Sequence, residues 1–409
     1  MAEPTNTPMP TAPPTPRSNS PAPPIPATGT TGATLSSTSA LLSPTLAHLP
    51  AIPSRLATAP AQSLGSKPIV LHIGDPVRYN LELYSAFSTQ FDVVRPTAAE
   101  RERSAFIAAL REGRWGRFAA IFRPFWGTGG EMGQWDTELV DLLPDSVRVF
   151  ASAGAGFDWA DTKLLGERGI IYCNSGLAAA EAVADFALAL IISTFRALPY
   201  CTSSSGNGET FSSAHELATA QSHILRGHVL GLVGLGNIGQ KIAHKCRAAF
   251  GMDIAYHDVE RKTADAVEER LQARFCASLE ELCRSADCVV LCTPSGAGRI
   301  INAGSLAWFK PGGRFVNIAR GSLVDEEALA DALEEGRLST VALDVHANEP
   351  DVNPRLKKFA GTRAMLTCHN AGGTVETHIG FEELSMRNIM AVLTGGDAIT
   401  PVNLQWLKK

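Results

Sequence analysis

The chain has 409 residues, 45% hydrophobic and 19% charged, and its 36 Lys and Arg against 41 Asp and Glu give a net charge of −5. That length exceeds one ordinary core and suggests about two domains, while the weak acidic balance argues against nucleic acid or an anionic membrane as the main partner. The eight cysteines are scattered without a CxxC pair, and Cys283, Cys288 and Cys292 lack a fourth ligand at zinc spacing, so reduced thiols and no metal site are expected.

Residues 1–65 hold 14 of the 25 prolines among Ser, Thr and Ala. Such a segment cannot bury enough apolar surface to offset its chain entropy, and a disordered tail is expected. It lacks the continuous apolar core of a signal peptide, which leaves the cytoplasm as the expected location. Its near absence of acids makes a mitochondrial transit segment the alternative, against which stand its only arginines, Arg17 and Arg55.

Order is expected from Lys67. Pro68–Ile73 reads as a strand, Leu81–Phe91 as a helix, Asp92–Val94 as a strand, Ala98–Glu112 as a helix and Ala119–Phe122 as a third strand. A Gly- and Trp-rich loop, 125–135, leads to a helix over Thr137–Leu143, a strand over Val147–Phe150 and the turn Ser152–Trp159. Alternating strands and helices imply a parallel sheet. Leu177–Leu198 is a long apolar helix interrupted by Glu181, Asp185 and Arg196, which favours burial between domains or subunits over a membrane span. Residues 201–225 read as a polar excursion.

Val229–Val233 then reads as a buried strand running into Gly234-Leu235-Gly236-Asn237-Ile238-Gly239, a helix closed by Gly251, a second strand at Ile254–Tyr256 and Asp258 at its end. Gly234 permits the tight turn, Gly236 lets a pyrophosphate approach the backbone, and Gly239 allows close helix–sheet packing. The helix N-terminus offers N–H groups to phosphate, and Asp258 is placed to accept hydrogen bonds from ribose hydroxyls. Asp258 would also repel a 2′-phosphate, which favours NAD over NADP even with Arg261 and Lys262 nearby.

The alternation continues through Arg274–Cys276, a helix capped by Ser278 with Glu281 at the capping-box position, and Asp287–Thr293 followed by Pro294. Gly313–Ala319 ends in Arg320, the helix beginning at Asp325 ends at Gly336, and Thr340–Asp344 and Ala364–Cys368 are further strands. Ligands bind outside the carboxyl ends of strands in such a sheet, which places Gly234, Asp258, Thr293, Arg320, Asp344 and His369 on one rim.

Reducing a 2-oxo acid needs a hydride donor, a cation for the carboxylate and a proton donor for the new alkoxide. His369 suits the last role, since imidazole exchanges protons near neutrality. Glu349 could pair with the imidazole and orient it, and Arg320 offers a planar fork for the carboxylate. Each alone reads more simply as a loop or surface residue; together beside a dinucleotide fold they form a catalytic set. His346 is the rival to His369 but has no evident carboxylate partner.

The chain from about 68 to 405 resembles the D-isomer-specific 2-hydroxyacid dehydrogenases. The pieces that carry the resemblance are Gly234–Gly239 with Asp258, Val316–Asp325, Leu343-Asp344-Val345 with Glu349-Pro350, and His369–Thr374. It implies an α/β fold of two Rossmann-like parallel-sheet domains. The cofactor domain (176–370) is inserted into a smaller flavodoxin-like substrate domain formed by 66–175 and 371–409. It implies Arg320, Glu349 and His369 as the catalytic residues, with the Ala155-Gly156 turn and Arg320 on the substrate carboxylate. On the cofactor side it implies Gly234, Gly236, Asn237, Ile238, Gly239, Asp258, Thr293, Pro294, Ala319, Asp344 (on the carboxamide) and Gly372. It also implies a homodimer built on the long helix. The chain departs from the family in the segment Pro294–Asn302, about two residues shorter than usual, and in carrying Asn370 after His369.

The expected activity is therefore NAD-dependent interconversion of 2-oxo acids and D-2-hydroxy acids. Phe125, Trp126, Trp135, Phe157 and Trp159 would either pack the small domain or form a roomy apolar pocket for an aromatic or branched substrate such as phenylglyoxylate. Glyoxylate/hydroxypyruvate reduction and a non-enzymatic, NAD-sensing corepressor role are the alternatives.

Overall fold

The computed structural model describes residues 67–407 apart from 126, 207–209 and 297; the expected tail and Trp126 lie outside the described residues. Five short strands rich in Val, Ile and Phe come first: β1 (Ile69–His72), β2 (Asp92–Val94), β3 (Ala120–Arg123), β4 (Val149–Ser152) and β5 (Ile171–Cys173). All pair in parallel, in the order β2-β1-β3-β4-β5, the flavodoxin-like order. The helix expected over 98–112 is two, Ala98–Arg101 and Arg103–Arg111, because Glu102 is extended (φ −57°, ψ 138°).

Seven strands form the second sheet: β6 (Val229–Val233), β7 (Asp253–His257), β8 (Ala273–Phe275), β9 (Cys288–Leu291), β10 (Gly313–Asn317), β11 (Leu338–Leu343) and β12 (Ala364–Leu366). They are parallel throughout in the order β12-β11-β10-β9-β6-β7-β8. The order reverses beside β6, so the loop after β6 sits at the crevice where such sheets take their ligands. Ser278 caps its helix, accepting from Glu281 N–H at 3.1 Å, but Glu281 reaches back to Ala277 N–H (2.9 Å) rather than closing a box on Ser278.

The long apolar helix spans Gly176–Phe195 and lies half-buried against the helix Asn237–Phe250, the C-terminal helix Val375–Leu393 and strands β10–β12. Its length and composition would suffice to cross a bilayer. Its acids instead pair sideways: Glu181 binds Lys241 at 2.6 Å and also Lys245, which in turn holds Asp185. The two lysines hold the Glu181 carboxyl down at about 2. Beyond the helix, the expected polar excursion is two helices, Leu198–Ser204 and Phe211–Gln221. Phe211, Ala214 and Ala218 recur at helical spacing there, a signal masked by the surrounding Ser and Thr.

The C-terminal helix returns to the first sheet, packing on β3, β4 and the helix Leu81–Gln90. Glu382 at its centre is fully buried, and its carboxylate accepts from the backbone N–H groups of Arg78 (2.7 Å), Tyr79 (3.0 Å) and Asn80 (2.8 Å). This acid therefore satisfies the entry to a helix 300 residues earlier, whose own first residue supplies no side-chain cap. Replacing Glu382 with Ala removes the shared acceptor of three N–H groups and empties a fully buried position, and should lower unfolding free energy by about 3 kcal/mol. A reduced urea midpoint measures it; an unchanged midpoint would remove this role for Glu382.

Candidate active site

The turn after β6 is built for close approach. Gly234 has φ +99°, and a Cβ there would lie 2.9 Å from the Cys292 carbonyl oxygen. A Cβ on Gly239 would lie 2.5 Å from the Gly234 carbonyl oxygen, whereas Gly236 faces open space. Gly236 is the N-cap of a 14-residue helix that no side chain caps, so the N–H groups of Asn237, Ile238 and Gly239 stand where a pyrophosphate would meet them. Thr293, immediately after Cys292, borders the same turn, and Pro294 follows it. Asp258 follows β7 and closes the turn, accepting from Leu235 N–H at 2.9 Å with its other oxygen 3.6 Å from Lys262 Nζ. Arg261 is directed elsewhere, onto Glu268 (2.9 Å).

Asp344, just past β11, organises the opposite side of the rim. It is 1% exposed, and its carboxylate accepts from Thr367 Oγ1 (2.7 Å), Asn370 N–H (2.9 Å) and Ala371 N–H (2.8 Å). Its carbonyl accepts from His369 N–H at 2.7 Å. The loop after β12 is thus wrapped around one aspartate, which keeps His369 at φ +55°, a left-handed backbone that a non-glycine residue seldom adopts. Three of the roughly four acceptor positions of a carboxylate are filled, leaving one on Oδ2.

His369 Nδ1 lies 2.8 Å from Glu349 Oε2, and Glu349 Oε1 accepts from the His346 N–H at 2.9 Å. His346 itself is 6% exposed, with Nε2 2.9 Å from the Thr367 carbonyl oxygen; it supports the loop from beneath. Gly372 rests on the long helix, where a Cβ would stand 3.7 Å from Ala179 and Val183.

Arg320, after β10, reaches across to the first sheet. Its Nη1 donates to the Ala319 carbonyl (2.7 Å) and its Nε to Asp158 Oδ1 (3.0 Å). Its Nη2 lies only 1.2 Å from where a Cβ on Gly156 would stand, so the guanidinium rests directly on that backbone. The Ala155-Gly156 turn is itself pinned: Asn174 Nδ2 donates to the Ala155 carbonyl (2.9 Å) and Ser175 N–H to the Gly154 carbonyl (2.9 Å). A cation and an exposed backbone turn meeting at one point can grip a carboxylate, with a carboxylate-oriented imidazole on the neighbouring loop. Asp158 had no signal in the sequence, because it acts on a residue 162 positions away.

Residues 188–371 match the family model described as "D-isomer specific 2-hydroxyacid dehydrogenase, NAD binding domain". A solved holo form of Rhodotorula graminis D-mandelate dehydrogenase is similar at a TM-score of 0.79 and 40% identity, over 83% of this chain and 98% of that one. The chain belongs to the D-isomer-specific 2-hydroxyacid dehydrogenases. The 4-methyl-2-oxopentanoate reductase A of Aspergillus oryzae is 32% identical over 302 residues, covering 73% of this chain and 88% of the relative. A glyoxylate reductase of Thermococcus gammatolerans is 35% identical over 278 residues, covering 67% and 81%.

As a 2-hydroxyacid dehydrogenase the chain is an NAD(P)-dependent oxidoreductase, and the glycine turn with its uncapped helix and Asp258 fits that cofactor. Two of the aromatics near the Ala155-Gly156 turn are structural in this dehydrogenase. Trp135 is fully buried in the core of the first sheet, and Trp159 lies beneath Arg123, whose guanidinium is 4.7 Å above its ring. Arg123 also went unread in the sequence. It is 7% exposed, and it ties the Gly129 carbonyl (3.0 Å) to Ser152 Oγ (3.3 Å), bracing the Gly-rich loop against the strand that leads into the Ala155-Gly156 turn. Burial pulls its pKa below the usual guanidinium value. Phe125, after β3, is buried with Arg78 over its ring, and Phe157, after β4, is half-buried against Tyr172.

Proposed function

We propose that this dehydrogenase prefers NAD(H) and reduces a bulky, aromatic or branched 2-oxo acid to the D-2-hydroxy acid. The observation that carries the reading is the meeting of Arg320 with Gly156, beside a Glu349–His369 pair held at 2.8 Å. Arg320 and the Ala155-Gly156 turn hold the substrate carboxylate and place its C2 carbonyl by His369. Glu349 occupies Nδ1, which assigns proton transfer to Nε2: it protonates the carbonyl oxygen in reduction and accepts that proton in oxidation. The nicotinamide, when bound, supplies or removes the hydride at C2. Asp344 fixes the loop and has one acceptor position left toward the carboxamide.

The bulky-substrate reading rests on Phe157, half-buried next to Gly156, and on the mandelate and 4-methyl-2-oxopentanoate enzymes among the relatives. Glyoxylate reduction is the second reading, supported by the 35% identical relative. Steady-state rates with phenylglyoxylate, 4-methyl-2-oxopentanoate and glyoxylate decide between them: a higher kcat/KM for glyoxylate than for both larger acids sinks the first.

NAD preference rests on Asp258, with Arg261 engaged by Glu268. Asp258→Ala should raise the NADPH-to-NADH ratio of kcat/KM by about tenfold or more, equivalent to at least ~1.4 kcal/mol of relieved repulsion. An unchanged ratio assigns the preference elsewhere. Homodimer assembly is supported by the half-buried long helix and by apolar side chains left exposed beyond it: Phe211, at the start of a later helix, is 62% exposed and Ile224, in the loop after that helix, 70%. Cytoplasmic residence is supported by all eight cysteines being unpaired, with burial pushing Cys246, Cys283, Cys288 and Cys292 up to about 12.

A further inference from the structure

At the end of the larger sheet opposite the glycine turn, where β6, β9, β10 and β11 begin, lies a cavity of about 480 Å³. Lys310, Arg314, Arg363, His223 and His228 line it, and Asp287 is the one acid among the described residues that do. That acid is already engaged. Its Oδ1 accepts from Lys310 Nζ at 2.7 Å and its Oδ2 from Val229 N–H at 2.7 Å.

Arg314 is the unusual member. It is 7% exposed, its Nε donates to the Thr194 carbonyl (3.2 Å), and its guanidinium lies 4.2 Å above the ring of Phe195. Among the described residues no carboxylate lies within ion-pair distance of it; Asp287 is bound to Lys310 instead. A neutral carbonyl and a ring face offset only part of the cost of removing a guanidinium from water, and that side chain does not shed its charge. On the same wall, His228 Nδ1 is buried without a partner among the described residues. Three permanent cations against one carboxylate leave two positive charges around a space large enough for a small ligand.

We propose that this cavity is a binding site for a small doubly charged oxyanion of the phosphate class. The planar fork of Arg314, the second guanidinium of Arg363 and the ring N–H groups of the histidines are donors that match tetrahedral oxygens. The site is far from the glycine turn and from Arg320, at the other end of the strands. It adjoins the last residues of the long helix, Thr194 and Phe195, whose first residue, Gly176, packs on Ala155 of the substrate turn.

The test uses the full chain saturated with NADH and oxamate, which fills the pyrophosphate and carboxylate positions of the active site. Inorganic phosphate is titrated against potassium chloride at matched ionic strength while the unfolding temperature is followed. A saturable rise with phosphate alone is expected, because a ligand bound only to the folded state stabilises it. The half-saturating concentration should increase at least tenfold in Arg314→Gln and in Arg363→Gln. The second variant guards against misfolding of the first, since Arg363 is only half-buried and stacks on Phe359 at 4.7 Å. A rise equal to that with chloride, or a saturable rise unaltered in Arg363→Gln, overturns the proposal.

Discussion

Replacing His369 with alanine should lower kcat for 2-oxo acid reduction by about 10²–10⁴-fold, the contribution of a positioned general acid. NADH affinity should survive, because the dinucleotide turn, 234–239, shares no hydrogen bond with the imidazole. The loop should also survive, since its anchors are backbone groups: the N–H groups of 369, 370 and 371 all bind Asp344. Glu349→Gln is the informative partner. It retains an oxygen for the His346 N–H but loses the carboxylate that orients Nδ1, so kcat should fall while KM changes little. Equal kcat in wild type and His369→Ala, measured at saturating NADH, would transfer the role to another group, and His346 is then the first to test.

A single methyl group at position 156 should be nearly as damaging. In Gly156→Ala the new Cβ would occupy the place of Arg320 Nη2, 1.2 Å away, and the guanidinium must leave. The methyl has no flexible neighbour to displace instead, for Asn174 and Ser175 fix the turn from behind. Losing one partner of a hydrogen-bonded charge pair costs about 2–5 kcal/mol, which is roughly 30- to 4,000-fold in kcat/KM. The loss should appear mainly as raised KM for the 2-oxo acid. Unfolding free energy should change far less, because Arg320 is a quarter exposed in its present position. Wild-type KM in this variant would show that the carboxylate is held elsewhere.

These two residues were legible in different ways. His369 could be placed from its strand end, where the apolar run Ala364–Leu366 gives way to polar residues, whereas the Gly-Ala-Gly turn at Gly156 took its role from the resemblance alone. The groups that fix them in position could not be read as such. Asp158 reaches Arg320 across 162 residues and Arg123 braces Ser152 from another strand, while Asp344, placed on the rim by its strand end, gave no sign of being the post on which the His369 loop is wound. Each depends on which strands become neighbours, and single-sequence periodicity carries no such information. The helices at 198–221 were missed for the opposite reason. Their composition is locally loop-like, and only Ala214 and Ala218 are buried in the second of them, a face too sparse to stand out from the surrounding Ser and Thr. For Trp135 and Trp159 the sequence left core packing and a substrate pocket both open, and they lie in the core and under Arg123.

The way the two chain ends meet also sets an order of construction. Strands β1–β5 are synthesised before the seven-stranded sheet, but the helix that covers them, Val375–Leu393, and the side chain of Asn403, which bonds Tyr172 N–H, the Thr162 carbonyl and the Ile170 carbonyl, are made after it. Everything between can leave the ribosome and close its own seven-stranded sheet while the earlier strands still wait with one face uncovered. A premature stop in the final 35 residues would therefore spare the part of the protein made most recently and ruin the part made first.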